Sequence, residues 1–120
     1  MIIEDSVEHI TWVDLSPEPE MRNELQRLVE MALEGWSKDM GIDFSRADIV
    51  TSASLAGLVR LHRLASGSGA GLVLCNISPT TQSIFAVTGL SELFDVSDDR
   101  HGVIVRIGKH KSAQFRTTRP

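Results

Sequence analysis

Three groups of side chains bear on chemistry here: the hydroxyls of Thr51, Ser52 and Ser54, the imidazoles of His9, His62, His101 and His110, and the single thiol of Cys75. The histidines fall in no metal-ligand spacing, and one cysteine supplies neither a zinc ligand set nor an internal disulfide, so no metal site and no cofactor are expected. Cys75 closes the apolar run Leu72-Val73-Leu74-Cys75, which marks it as a small buried hydrophobe rather than a reactive thiol. His62 lies on the apolar side of a helical stripe, the setting of a hydrogen-bonded structural histidine. The run Gly67-Ser68-Gly69-Ala70-Gly71 has the composition of a phosphate loop, but such loops follow a strand and open a helix. Here the order is reversed, and a helix-to-strand turn is expected. With no Gly-x-Ser-x-Gly elbow and no paired carboxylates to join a nucleophile to a base, the reading is not an enzyme.

The hydroxyl cluster Thr51-Ser52-Ala53-Ser54 stands just before an apolar helical stripe that begins at Leu55. Two roles are open to it. The hydroxyls cap the helix, or Ser52 is in addition a phosphoacceptor. A phosphate there would place nearly two negative charges beside helix-end amides and alter a partner surface.

The elements that must position this cluster follow from periodicity. His9 to Leu15 is rich in β-branched and aromatic residues and reads as a strand. Ser16-Pro17-Glu18 offers a capping hydroxyl, a proline for the first helical position and an acid for the first turn, so a helix is expected from Pro17 to Glu34, before Gly35. Residues 40–45 read as a second strand, with Ile49-Val50 as an extension after a kink. A helix from Ser52 or Ser54 follows, broken by the glycine-rich segment 66–71. Leu72 to Cys75 has the continuous apolar pattern of a strand buried on both faces. Ser78-Pro79 opens another helix that Gly89 closes, Ser91 to Phe94 reads as a turn, and the alternation of Val103, Val105 and Ile107 suggests a late edge strand. The expected fold is α/β, one small domain with a mixed or mostly parallel sheet of about four strands and about four helices. Leu25, Leu28, Val29, Leu58, Val59, Leu72, Leu74 and Phe85 are the expected core.

A chain of 120 residues has room for one core. We divide it into a domain over 1–108 and a basic, flexible, dispensable tail over 109–120. Residues 1–100 hold 7 basic and 16 acidic side chains, net −9, and residues 101–120 hold 5 basic and none acidic, net +5, which sum to the chain's −4. An acidic body argues against nucleic acid as a partner. Glu4, Asp5 and Glu8 stand where an export signal needs a basic start and an apolar run, and no stretch is long and apolar enough to span a bilayer, so a soluble cytoplasmic protein without membrane insertion is expected.

Over residues 40–95 the sequence resembles the STAS domain of anti-sigma factor antagonists. The resemblance rests on Ile42-Asp43-Phe44-Ser45, the hydroxyl cluster with Leu55 and Leu58-Val59-Arg60-Leu61-His62-Arg63, Leu72 through Pro79, and Ile84-Phe85 with Thr88-Gly89-Leu90 and Leu93-Phe94. It implies a bacterial transcription regulator that docks on an anti-sigma factor that is also a serine kinase, or on another regulatory protein, until phosphorylation ends the docking. The family motif Asp-Ser-Ser/Thr-Gly-Leu-Gly aligns with Thr51-Ser52-Ala53-Ser54-Leu55-Ala56. This puts Ser52 at the phosphoacceptor position, with Thr51, Ser54, Ala56 and Arg60 as partner-binding candidates. Thr51 replaces the motif's acid, and Ser54 and Ala56 replace its glycines. The alternative implied by these replacements is a STAS scaffold that is not phosphorylated, or an accessory subunit of a signalling assembly or lipid transporter.

Overall fold

The computed structural model describes the backbone of residues 1–6 and 9–118 and the side chains of those residues up to 111. Five strands form one mixed sheet in sequential order: β1 (Ile2–Asp5), β2 (Thr11–Asp14), β3 (Met40–Asp43), β4 (Leu72–Cys75) and β5 (Asp95–Ser97). β1 runs antiparallel to β2, and every other pair is parallel. The α/β class and mixed sheet are those expected from sequence. The additional strands are the fully exposed edge β1, whose Ile2-Ile3-Glu4-Asp5 shows no apolar-polar alternation, and the three-residue β5.

Parallel neighbours need crossovers, and the helices supply them: α1 (Glu20–Leu33), α2 (Ser52–Ser68), then α3 (Pro79–Thr88) with the single-turn α4 (Leu90–Leu93). Strand alternation sorts the side chains into two cores. Val13, Ile42, Leu72 and Leu74 face α1, α2 and α3, meeting Leu25, Leu28, Val29, Leu58, Leu61 and Phe85. On the other face Trp12, Val73 and Cys75 meet Val103 and Ile107 of α5 (Arg100–Thr118). Seven of the eight expected core residues are buried, and Val59 is partly so.

Several boundaries differ from the sequence expectation. α1 begins at Glu20 rather than Pro17 because a second proline, Pro19, follows Glu18, and a residue before proline is steered away from helical angles. Ser16 does not cap the helix; its N–H and hydroxyl both donate to the Glu24 carboxylate, each at 2.8 Å. Residues 49–50 lie in a loop, and α2 continues through Ser66-Gly67-Ser68 to a left-handed Gly69. Residues 91–93 belong to α4. Residues 102–107 are not an edge strand but lie in the first two turns of α5: Val103 and Ile107 are buried four residues apart while Val105 is 44% exposed, a helical period that Ile104 completes. The boundary drawn at 109 falls inside that helix, where Lys111 pairs with Asp39 at 3.0 Å and His110 Nε2 lies 3.2 Å from the Gly69 carbonyl. The side chains of 112–120, including Phe115, lie outside the described residues.

Candidate functional site

The loop from Phe44 to Thr51 delivers the chain from β3 to α2, and its sequence pins it in place. Phe44, Ala47 and Val50 are buried, so the residues between them turn outward, with Ile49 left 70% exposed. From the α3 side, the hydroxyls of Ser78 and Thr81 donate to the Asp48 carbonyl at 2.9 and 3.3 Å. Ser78 also caps α3, accepting from Thr81 N–H at 3.2 Å, as Ser78-Pro79 foretold. From the α1 side, the Thr51 N–H and hydroxyl both donate to Glu18 Oε2 at 2.8 Å.

α2 starts with Thr51 as its N-cap, whose hydroxyl accepts from Ser54 N–H at 3.2 Å. Both hydroxyls of the cap are thus engaged: Ser54 is buried at 1% exposure and lies 3.3 Å from the Thr51 oxygen. Ser52 differs. It is the first helical residue, it is exposed, and its hydroxyl has no hydrogen-bond partner among the described residues. A group attached there would stand at the positive end of a 17-residue helix.

That end already meets one negative charge. Burial works to raise the Glu18 pKa, but the Ser54 hydroxyl and the Thr51 N–H and hydroxyl outweigh it, holding Glu18 below its ordinary value. The carboxylate of α1's approach is therefore part of the α2 cap, a role that Ser16-Pro17-Glu18 concealed by resembling a helix start of its own.

Of the residues singled out from sequence, Thr51 and Ser52 stand together on the surface at the helix start. Ala56 and Arg60 are exposed further along α2, and Ser54 turns inward, away from any partner. Sequence reasoning missed Ile49 and Glu18. An apolar residue flanked by Asp48 and Val50 gave the only signal for the first, and for the second there was none short of the fold.

The opposite face holds a separate polar cluster. Asp43 Oδ2 accepts from Arg100 Nε at 2.8 Å, and Asp43 Oδ1 accepts from Ser45 N–H at 2.9 Å and Asn76 Nδ2 at 3.1 Å. Burial pushes the Asp43 pKa up, but the Arg100 guanidinium and these donors hold it below its ordinary value. Arg100 also lies over the Trp12 ring, 4.8 Å from its centroid. Beneath it, burial pushes the Cys75 thiol up to about 12, so no thiolate forms near neutral pH. His62 does not make the hydrogen bond expected of it: its Nδ1 is buried without a partner among the described residues, and the ring meets Phe94 edge-on at 5.4 Å. Among the described residues no helix is long and apolar enough to cross a membrane.

The family model of the STAS domain matches residues 21–103, more than two thirds of the chain. Among solved structures, the chain is similar to an anti-sigma-factor antagonist (STAS) domain protein from Planctomyces limnophilus, with TM-score 0.76 and 14% identity over 89% of this chain and 97% of that one. It is also similar to the Bacillus cell fate determinant SpoIIAA in its phosphorylated form, with TM-score 0.66 and 16% identity over 88% of this chain and 97% of that one. The unphosphorylated form of that anti-sigma factor antagonist matches at TM-score 0.65 and 13% identity, over 88% and 94%. No curated protein matches the sequence.

Proposed function

The chain belongs to the STAS domain family, and from that premise we propose that it is an anti-sigma factor antagonist, a protein-binding regulator that docks on an anti-sigma factor with serine kinase activity and is switched by phosphorylation of Ser52. One observation supports this above the others: Ser52 is the exposed, unengaged hydroxyl at the start of α2, while its neighbours Thr51 and Ser54 are both committed to the cap. A kinase reaches it without local unfolding. The structural likeness to an antagonist that exists in phosphorylated and unphosphorylated forms agrees with this reading. Ile49, 70% exposed one turn of chain before Ser52, gives the docking surface an apolar anchor of the kind that dominates interface energetics when desolvated. A phosphate beside it opposes docking by charge and by the cost of desolvation.

Glu18 favours a second reading, that of a STAS scaffold that is not phosphorylated. Its carboxylate already occupies the Thr51 amide and hydroxyl, and a phosphate on Ser52 would enter next to a charge of the same sign. Incubation of the full chain with the serine-kinase anti-sigma factors of its source cell, followed by phosphosite mass spectrometry and calorimetric titration, separates the two. The switch predicts phosphate on Ser52, at least about tenfold weaker binding for Ser52→Asp, and normal binding with no phosphate for Ser52→Ala. Equal affinities for all three proteins would leave the scaffold.

A further inference from the structure

α1 and α2 begin side by side, tied by Glu18 and Thr51, and both follow parallel strands, so they run in the same direction with a groove between them. The groove, about 470 Å³, is lined by Arg22 and Gln26 from α1 and by Ala53, Ala56, Gly57 and Arg60 from α2. The α2 residues recur at spacings of three, one and three, one helix face whose floor is only methyls and a glycine. A partner backbone can come close to such a floor, because nothing longer than Cβ projects from it.

The charge on the walls selects the partner. Lys38, Arg100, Arg106 and Lys111 are paired with acids of this chain; Arg22 and Arg60, like Arg27, Arg46, Arg63 and Lys109, have no ion pair among the described residues, and they are the two cations that line the groove. No acid lines the groove, although the chain as a whole carries −4. Two guanidiniums without an ion pair thus line a small-residue floor, Arg22 near the start of α1 and Arg60 about two turns along α2, on an otherwise acidic protein. Arginine is suited to this task, since its planar fork matches a carboxylate in two parallel hydrogen bonds.

We infer that this groove docks an acidic helix of the partner protein, with carboxylates about two turns apart that meet Arg22 and Arg60. The spacing follows from the floor: Ala53, beside Arg22 at the leading end, and Arg60 are seven residues apart, about 10 Å along the helix axis at 1.5 Å per residue. This rests on the regulatory reading above and deepens it. The groove starts at Ala53, the residue after Ser52, so a phosphate on Ser52 stands at its mouth and repels an acidic occupant. Nucleic acid fits less well, because two arginines on a net acidic body release too few counterions to hold a phosphate chain.

The test uses the full chain and a synthetic alanine-based helical peptide with two glutamates seven residues apart, beside a version with both replaced by glutamine and a short DNA duplex. The expected result is a set of amide shifts at Ala53, Ala56 and Gly57 with the acidic peptide, weakened about fivefold or more by Arg22→Ala or Arg60→Ala and by 0.5 M salt. Arg60→Glu should prefer a peptide in which only the glutamate that meets position 60 is replaced by lysine, since Arg22 still calls for the other carboxylate. Ala56→Trp, which fills the groove without touching charge, should abolish binding, and all three positions are exposed, so the variants should fold. Absence of shifts at millimolar acidic peptide, shifts that map elsewhere, indifference to the arginine variants, or preference for the duplex would each overturn the inference. Ser52→Asp is titrated alongside: if it binds the peptide as wild type does, the phosphorylation switch falls and the groove stands.

Discussion

The two faces of the sheet are built on different principles. One is covered by α1, α2 and α3, over a core in which Leu25, Leu28, Ile42, Leu58, Leu74 and Phe85 are almost wholly buried. The other is covered by α5 alone, over the six-residue cluster of Ile10, Trp12, Val73, Cys75, Val103 and Ile107. What the smaller face lacks in apolar area it supplements with directed contacts at the start of the helix and three turns along it: Arg100 on Asp43 and Trp12, and Lys111 on Asp39. Burial is non-directional and tolerates small shifts, whereas a helix held by such directed contacts depends on a few placed groups. The candidate docking features, Ile49, Ser52 and the arginine groove, all belong to the broad face, whose core supports them without constraining their side chains.

The largest expected effect follows from cutting the broad core. Leu58→Ala should cost roughly 2–5 kcal/mol, as buried leucine truncations do, and urea unfolding followed by far-UV and tryptophan signals should show one coincident loss. A cost below about 0.5 kcal/mol would mean that Leu58 is not in the core. On the narrow face, Gly41→Ala sharpens the contrast. A Cβ at Gly41 would stand 2.5 Å from the Trp12 ring, with Val103 at 3.0 Å leaving the ring nowhere to retreat. Overpacking of this kind costs about 1–3 kcal/mol. Hydrogen exchange should rise in α5 while α1 and α2 stay protected. Uniform loss of protection would show that the two faces are one cooperative unit.

The broad face was legible in the sequence because its helices carry long stripes: Met21, Leu25, Leu28 and Val29 in α1, and Leu58 with Leu61 in α2, are spaced as a helix demands, and Leu72 to Cys75 announces a strand covered on both sides. The narrow face was not. Val103, Val105 and Ile107 satisfy a period of two as well as Val103 and Ile107 satisfy one of 3.6, and three residues do not decide between them. β5, three residues long, offered no pattern at all. At the candidate site, the motif position of Ser52 was readable by resemblance and its exposure by the stripe starting only at Leu55. The inward turn of Ser54 and the reach of Glu18 across 33 residues are products of tertiary packing that no local rule encodes.

The Arg100–Asp43 pair gives the narrow face a dependence on pH that the broad core lacks. Asp43 is depressed from its ordinary 3.8 in the folded chain, so its contribution is fully present above that value and is lost as pH falls through the lower folded one. Asp43→Asn should cost roughly 1–3 kcal/mol at neutral pH, because it leaves buried donors poorly matched. Arg100, 40% exposed, can turn to water, which places the cost in the lower part of that range. The cost should shrink as pH falls below the ordinary 3.8, where the unfolded chain first takes up the proton, toward the lower folded value at which Asp43 itself is protonated. A cost unchanged between pH 7 and pH 2.5 would mean that the carboxylate charge does not fasten α5.

The smallest effect concerns Glu18, which links the stability of the broad face to the candidate docking surface. Its carboxylate accepts both donors of Thr51, and an anion at a helix start typically adds about 0.3–1 kcal/mol. Glu18→Gln keeps an acceptor oxygen but removes the charge, so it should lose stability within that range at neutral pH. Because the Glu18 pKa is lowered in the folded chain from 4.5, this contribution too is present above the ordinary value and fades as pH drops through the folded one. The more informative measurement is a double-mutant cycle with Ser52→Asp. If Glu18 and a group on Ser52 compete for the same helix end, Ser52→Asp should be slightly destabilising in the wild-type background and neutral or stabilising once Glu18 is glutamine. The coupling should be a few tenths of a kcal/mol and should diminish in high salt, as befits two partly exposed like charges. Exact additivity would show that the carboxylate and the Ser52 position do not share the α2 terminus, and it would remove the one structural argument that favours an unphosphorylated scaffold over a phosphorylation switch.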